Sequence, residues 1–326
     1  MIFSRPIVII DSPFATLSFA FSVTAPIFVM LLLGIVLKRT AMITDDFIKV
    51  ASQLVYNIGL PVMLFTTCAT AHFGQMADAK VLIAFSLMTA IVFIGSFLTA
   101  AWHCENSRDY GVFIQGAFRG NLVILGLAFC ANAYGEQGLA IAALPVAMTV
   151  VFYNVLSVYV LNRSLHASTN SLKPTVTAIA KNPLILAILA GLIVNGLNLS
   201  LPKVALDSGK YLSQIVLPLA LICIGGALDL SRFRALDAAT LYASLWKLLI
   251  SPVVACAIAI GLGVRDESLA ILFLLAASPT ATISFMMVHV MNGNTKLAAN
   301  IIVLTTLGSM LTVTAGLWLL QSAGFI

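Results

Sequence analysis

The stretch Gln115-Gly116-Ala117-Phe118-Arg119-Gly120-Asn121 puts a cation, a helix-weakening glycine and a carboxamide at the centre of an apolar run over about 110–133. A second run, over about 267–291, carries Ala277-Ser278-Pro279-Thr280-Ala281-Thr282 at its centre. There the proline removes a backbone donor and clashes with the preceding turn. Each run is long enough to cross a bilayer, so each is expected to be a membrane helix broken in its middle. Such a break exposes N–H groups at one half-helix start and C=O groups at the other half-helix end, where Asn, Ser and Thr can cap them. A half-helix N-terminus also favours an anion. An ordinary proline kink satisfied by neighbouring helices is the alternative.

Outward from these two runs, similar stretches fall at about 18–38, 47–69, 80–102, 138–161, 177–200, 208–228, 238–263 and 296–322, so ten crossings are expected. The composition agrees. Hydrophobic residues make up 61% of the 326 and charged residues 9%, against about 25% charge in soluble domains. Mean hydropathy is +1.07. Little chain is left for an appended soluble catalytic domain or an extracellular disulfide scaffold. Cys68, Cys104, Cys130, Cys223 and Cys256 are scattered without a CxxC pair and read as small core residues. The first sixteen residues lack the pattern of a signal peptide and read as an interfacial segment.

The longest polar connection, Arg163 to Pro174, lies near the middle of the chain, and sliding the second half over the first reveals a repeat. At an offset of 157, Ala25-Pro26 meets Asn182-Pro183 and Gly34 meets Gly191. The same offset puts Ile58, Leu60, Pro61 and Leu64 on Ile215, Leu217, Pro218 and Leu221. One inserted residue later, Gly135, Leu139 and Ala140 meet Gly293, Leu297 and Ala298. The expected fold is therefore all-α and polytopic, with repeats over 1–165 and 166–326. Five helices per repeat is an odd number, so the second copy starts from the opposite side of the membrane. Inverted repeats are a feature of secondary transporters, which bind substrate near the midplane on interrupted helices.

Lysine and arginine in the loops set the orientation. The side opposite the N-terminus holds Lys38, Arg39, Lys49, Arg108, Arg163, Lys173, Lys181, Arg232, Arg234 and Lys296; the N-terminal side holds Arg5, Lys80, Lys203, Lys210 and Arg265. Both termini are expected outside the cytoplasm, in an inner (plasma) membrane. The formal charge of +5 is then a topology signal and calls for no nucleic-acid partner.

All twelve acidic residues fall at segment ends or in loops, which leaves a proton relay of the cation-antiporter kind and a hydrolase acid/base pair without carboxylates. Two cations sit deep in spans. Arg119 is near the centre of helix 4 and Lys247 near the centre of helix 8, nine or ten positions from the nearest end and too deep for easy snorkelling. Arg119 is a candidate for substrate binding or gating. Lys247 is a candidate for coupling or gating, its rival role being a structural cation held by helix C-termini or polar groups. Asn57, four residues before Pro61, could cap that kink or face substrate. His289, the sole histidine in a span, reads as a buried hydrogen-bonded residue, with proton coupling as the alternative. Asn154 and Asn300 read as interhelical glue, and Pro26, Pro61, Pro145, Pro183, Pro218 and Pro252 as kinks or helix starts.

At these residues the chain resembles the auxin efflux carrier family, in the bacterial malonate-carrier-like branch, within the bile-acid-symporter-like superfamily. The resemblance covers nearly the whole chain. Asn57-Ile-Gly-Leu-Pro61-Val-Met-Leu-Phe65 resembles the family's helix 2, and Arg119-Gly-Asn121 followed by Gly126 its helix 4. Asn182-Pro183 through Gly191 to Pro202 resembles helix 6, and Pro218 through Gly225 helix 7. Ser278-Pro279, Asn292-Gly293 and Thr305-Thr306 resemble helices 9 and 10. The resemblance implies a scaffold domain (helices 1, 2, 6, 7) interleaved with a transport domain (helices 3–5, 8–10). It also implies that helices 4 and 9 cross at unwound centres beside the substrate, with Asn121 and Ser278, Pro279 and Thr280 at the crossing and Thr282 close by. Ala128 stands where many relatives have proline, so less backbone distortion is expected there.

The implied function is transport of a small organic anion, a carboxylate, by alternating access, with no enzyme activity, cofactor or metal. A sodium-coupled symporter of the bile-acid type, or an anion channel, is the alternative reading. A homodimer is an open expectation.

Overall fold

The computed structural model describes residues 13–70, 79–165, 183–228 and 237–326. The interfacial segment expected at the N-terminus, the 163–174 connection beyond Leu165, and Lys173, Lys181, Arg232 and Arg234 lie outside the described residues. Among those described the chain is all helix, joined by turns, with one isolated antiparallel bridge.

In chain order, α1 spans Pro13–Arg39, α2 Asp45–Leu54, α3 Leu60–Thr70, α4 Ala79–His103, α5 Tyr110–Phe118 and α6 Leu127–Leu165. The second half holds α7 Pro183–Gly196, α8 Lys203–Ala227, α9 Ala238–Leu245, α10 Ser251–Gly261, α11 Asp266–Ala276, α12 Ile283–Val290 and α13 Thr295–Ser322. Single π-helical turns, Val55–Gly59 and Trp246–Ile250, join α2 to α3 and α9 to α10. Each ends two residues before a proline, Pro61 or Pro252. A proline cannot donate to the carbonyl four residues back, and a π turn re-registers the ladder around that loss.

Seven helical runs among the described residues are long and apolar enough to cross a membrane: Leu17–Arg39, Asp45–Thr70, Ala79–His103, Leu122–Leu165, Lys203–Ala227, Ala238–Gly261 and Thr295–Ser322. The difference from ten has local causes. Leu122–Leu165 is continuous but turns back on a non-helical Gly135 (φ 59°, ψ −141°), a left-handed φ that suits glycine. The apolar runs at 110–133 and 267–291 are interrupted at their centres, so α5, α11 and α12 are too short to be counted as spans. Pro183–Gly196 is an apolar helix of 14 residues. Phe21, Val29, Leu98, Trp102, Val253 and Leu311 are all more than half exposed on outer helix faces, an arrangement that suits lipid and not water.

Two packing groups emerge. Helices α1, α2, α3, α7 and α8 pack on one another, while α4, α5, α6 and α9 to α13 form the rest, with α1 against α13 and α8 against the 122–126 turn between the groups. Glycine permits the closest approaches. Gly34 of α1 lies against the Ile222 carbonyl of α8, and Gly191 of α7 lies against the Phe65 carbonyl of α3. Both members of the second contact relate to those of the first by the same 157-residue offset (191 − 34 and 222 − 65). In the first interface Gly225 also abuts Leu31, whose Cα would stand 2.9 Å from an added Cβ. Backbone cannot yield as a flexible side chain can. Gly225→Val is therefore expected to separate α1 from α8, at a cost of several times the roughly 1–3 kcal/mol typical of overpacking. The check is a lost monodisperse peak or a markedly lower Tm in detergent.

Four of the five cysteines are buried, Cys256 is partly buried, and all five are free, as expected of small packing residues.

Candidate functional site

Helix α5 ends at Phe118, and Arg119 (φ −82°, ψ 95°) and Asn121 (φ −81°, ψ 64°) leave helical geometry before a π turn, Leu122–Gly126, resumes the coil. On the facing segment α11 ends at Ala276, and α12 begins only at Ile283. The two interruptions meet. The Asn121 N–H donates to the Pro279 carbonyl at 2.7 Å and the Ala281 N–H donates to the Arg119 carbonyl at 2.9 Å, so Gly120 and Thr280 face each other as an antiparallel bridge. Backbone groups lost by each helix are thus recovered from the other. Gly120 and Thr280 do not bond each other, which makes theirs the narrower kind of antiparallel pair. A Cβ on Gly120 would stand 2.8 Å from Ser278 Oγ and 3.0 Å from Lys247 Nζ. Only glycine fits there without displacement. The distortion lies upstream of Ala128, which sits in helix α6.

The four helix ends at this crossing are treated unequally. At the carbonyl end of α5, the Thr280 hydroxyl donates to Gly116 O at 2.7 Å. At the carbonyl end of α11, the Lys247 ammonium donates to Ala276 O at 2.9 Å and the Ser278 hydroxyl to Leu275 O at 2.7 Å. Thr305 Oγ1 accepts from the Thr280 N–H at 3.1 Å and fixes the loop. The two N-terminal ends differ: neither Asn121, at the start of Leu122–Gly126, nor Thr282, at the start of α12, makes a side-chain cap. The first N–H groups of a helix have no partner within it, and they carry a partial positive charge.

Both uncapped starts border one cavity of about 550 Å³. Its polar wall comes from Arg119, Asn121, Asn154 and Thr282, with Tyr56 and Ser52; much of the remainder is apolar, including Val55, Ile124, Val150, Ile224 and Ile302. Asn121 is 6% exposed, and its Nδ2 has no hydrogen-bond partner among the described residues. The Arg119 guanidinium is held by α6 through Tyr153 O at 3.0 Å, Ser157 Oγ at 2.9 Å and Asn154 Oδ1 at 2.8 Å. These acceptors are neutral, so the charge of Arg119 is oriented without being cancelled. Three of its five N–H donors are committed to α6, and the residue borders the cavity. The acceptors at 153, 154 and 157 all lie within about one turn of α6.

The residues singled out from the sequence fall into three places. Arg119, Asn121 and Thr282 line the cavity; Ser278, Pro279 and Thr280 form the crossing behind it; Lys247 is wholly buried against that crossing, outside the cavity lining. Asn57 and His289 belong to neither group. Asn57 is exposed on the π turn, and its neighbour Tyr56 faces the cavity instead. A one-residue step turns a side chain by roughly 100° on an α-helix, and somewhat less on a π turn, which moves Asn57 off the inner face. His289 is exposed rather than buried, with its ring stacked at 1° on Phe285 at 6.2 Å between centroids. It lies six residues past the start of α12, about 9 Å from the crossing at 1.5 Å per residue. Asn154, read as interhelical glue, serves both as an anchor for Arg119 and as part of the cavity wall.

A family model described as membrane transport protein matches residues 19–178 and 167–317. A candidate malonate transporter of Rhizobium meliloti is 28% identical over 311 residues, covering 91% of this chain and 94% of that protein. Uncharacterized transporters of Methanothermobacter thermautotrophicus and Methanocaldococcus jannaschii are each 24% identical, over 88% and 90% of this chain and 94% and 96% of their own lengths. The two family matches together run from the first membrane helix to the last and include both interrupted segments, so the chain belongs to the membrane transport protein family, whose members are transporters and not enzymes.

Proposed function

We propose that this protein is a secondary transporter that moves a small organic anion, a carboxylate, across the inner (plasma) membrane by alternating access. One observation carries the reading. Two uncapped helix starts and an uncancelled arginine border the same cavity, while the carbonyl ends of the same broken helices are covered by Thr280 and Lys247. Partial positive charge is left facing the cavity and partial negative charge is quenched away from it, which suits an anion. The relative from Rhizobium meliloti, named for malonate, supports a carboxylate.

In this reading the chain crosses ten times as two inverted repeats, a layout favoured by the paired Gly34–Ile222 and Gly191–Phe65 approaches. Helices α1 to α3, α7 and α8 are the scaffold, and the other packing group carries the substrate. Both termini lie outside the cytoplasm. A reporter fused at Ile326 should be active when it requires the periplasmic side and silent when it requires the cytoplasm; the opposite pattern would overturn count and orientation together.

The test of function is a thermal-shift panel of mono- and dicarboxylates on purified protein, followed by flux in proteoliposomes. A ligand at 100 times its Kd stabilises by about 2.7 kcal/mol, a readily measured rise in Tm. Saturating flux with counterflow is expected of the stabilising acid. Stabilisation by none of the acids, or flux that neither saturates nor shows counterflow, would refute the carrier reading, the latter in favour of a channel.

A further inference from the structure

Lys247 has no part in the cavity wall, yet it is 0% exposed and its ammonium touches the crossing. Three features fix it there. The π turn Trp246–Ile250 carries it, the Ala276 carbonyl accepts from Nζ at 2.9 Å, and Gly120 leaves space for Nζ where a Cβ would come within 3.0 Å. Around the same helix end, Ser251 Oγ is 3.4 Å from Ala276 O and Ser278 Oγ abuts Gly120. A buried cation is costly unless its donors are met by oxygens, and a helix C-terminus is the favourable place for one. In transporters built on broken helices, half-helix starts face anionic substrate, whereas half-helix ends and unwound carbonyls commonly bind an exchangeable sodium ion or proton. At α11 that second position is already occupied, by the Lys247 amino group.

We propose that Lys247 is a built-in cation for the crossing: its ammonium group fills, as part of the chain, the carbonyl-end position that an exchangeable ion from solution would otherwise occupy, so the protein works without sodium. This rests on the carrier reading for its transport consequence, but the occupancy of the site does not. Truncation at Cβ removes the equivalent of n-propylammonium, so Lys247→Ala should open a vacancy fitted to that ion.

Two sets of measurements test it. In detergent without substrate, n-propylammonium chloride should raise the Tm of Lys247→Ala by several degrees over choline chloride at equal ionic strength. Neutral n-propanol should not do so, and wild type should respond to none of the three. In proteoliposomes loaded for malonate counterflow, wild-type flux should change less than twofold when sodium is replaced by choline at constant pH. Lys247→Ala should lose at least tenfold and recover severalfold with n-propylammonium. If Lys247→Ala cannot be purified without the amine, extraction in its presence should yield folded protein, and Lys247→Arg should remain more stable than Lys247→Met. The proposal is overturned if Lys247→Met matches wild type in Tm, if propylammonium fails to stabilise Lys247→Ala, or if wild-type flux requires sodium. Absence of malonate flux would count against the carrier reading alone, because the thermal arm decides the site by itself.

Discussion

Arg119→Gln is expected to lower the affinity for a transported carboxylate roughly 10- to 150-fold, since a hydrogen bond involving a charged group contributes about 1.5–3 kcal/mol. The guanidinium borders the cavity with two N–H donors outside its three bonds to α6, the number a paired grip on a carboxylate needs. Glutamine removes the charge and leaves at least one of Tyr153 O, Ser157 Oγ and Asn154 Oδ1 without its donor, so a fall in Tm should accompany the loss of binding. Arg119→Lys keeps the charge as a point and forfeits the planar fork, and should lie between Gln and wild type. The discriminating measurement is preference for the free acid over its methyl ester, which should shrink with Arg119→Gln and persist with Arg119→Lys. Unchanged affinity and preference in Arg119→Gln would reduce Arg119 to a structural cation, leaving anion binding to the helix starts.

The second large effect is expected at Asn121, with the opposite signature in stability. Among the described residues its Nδ2 has no acceptor, and its backbone bonds, Asn121 N–H to Pro279 O across the bridge and Gly126 N–H to Asn121 O in the π turn, survive substitution by alanine. Asn121→Ala should therefore fold with a Tm close to wild type and lose carboxylate binding by about tenfold or more, the value of one acceptor left without its donor. Calorimetry with the stabilising acid, alongside a thermal melt, separates the outcomes. A stable protein with unchanged affinity would remove the side chain from the site, and a large drop in Tm would assign it a role in holding the crossing.

Comparing these two residues with Asn57 and His289 shows how far the chain could be read before it was folded. Apolar runs, breakers at Gly120 and Pro279, and the absence of carboxylates from the spans are properties of single segments, and hydrophobicity and backbone chemistry act on each segment separately. They made the membrane setting, the interruptions of the two runs and the deep position of Arg119 visible in the sequence itself. Asn57 and His289 drew attention because polar groups are costly in apolar helices, but cost does not determine direction. The π turn at 55–59 and the short run of α12 point them away from the cavity, and Tyr56 faces it instead.

The sequence by itself determined that this is a multispanning helical membrane protein with two runs interrupted near their centres and two cations without carboxylates beside them in the spans, because burial preference and proline and glycine geometry are local. Tertiary structure alone decided that the two interruptions pair as a backbone bridge, that Asn154 and Ser157 orient Arg119, and that Lys247 reaches the end of α11 from a third helix. Those contacts join residues 29 to 162 positions apart, and no pattern within one helix encodes which partner a side chain finds across that separation.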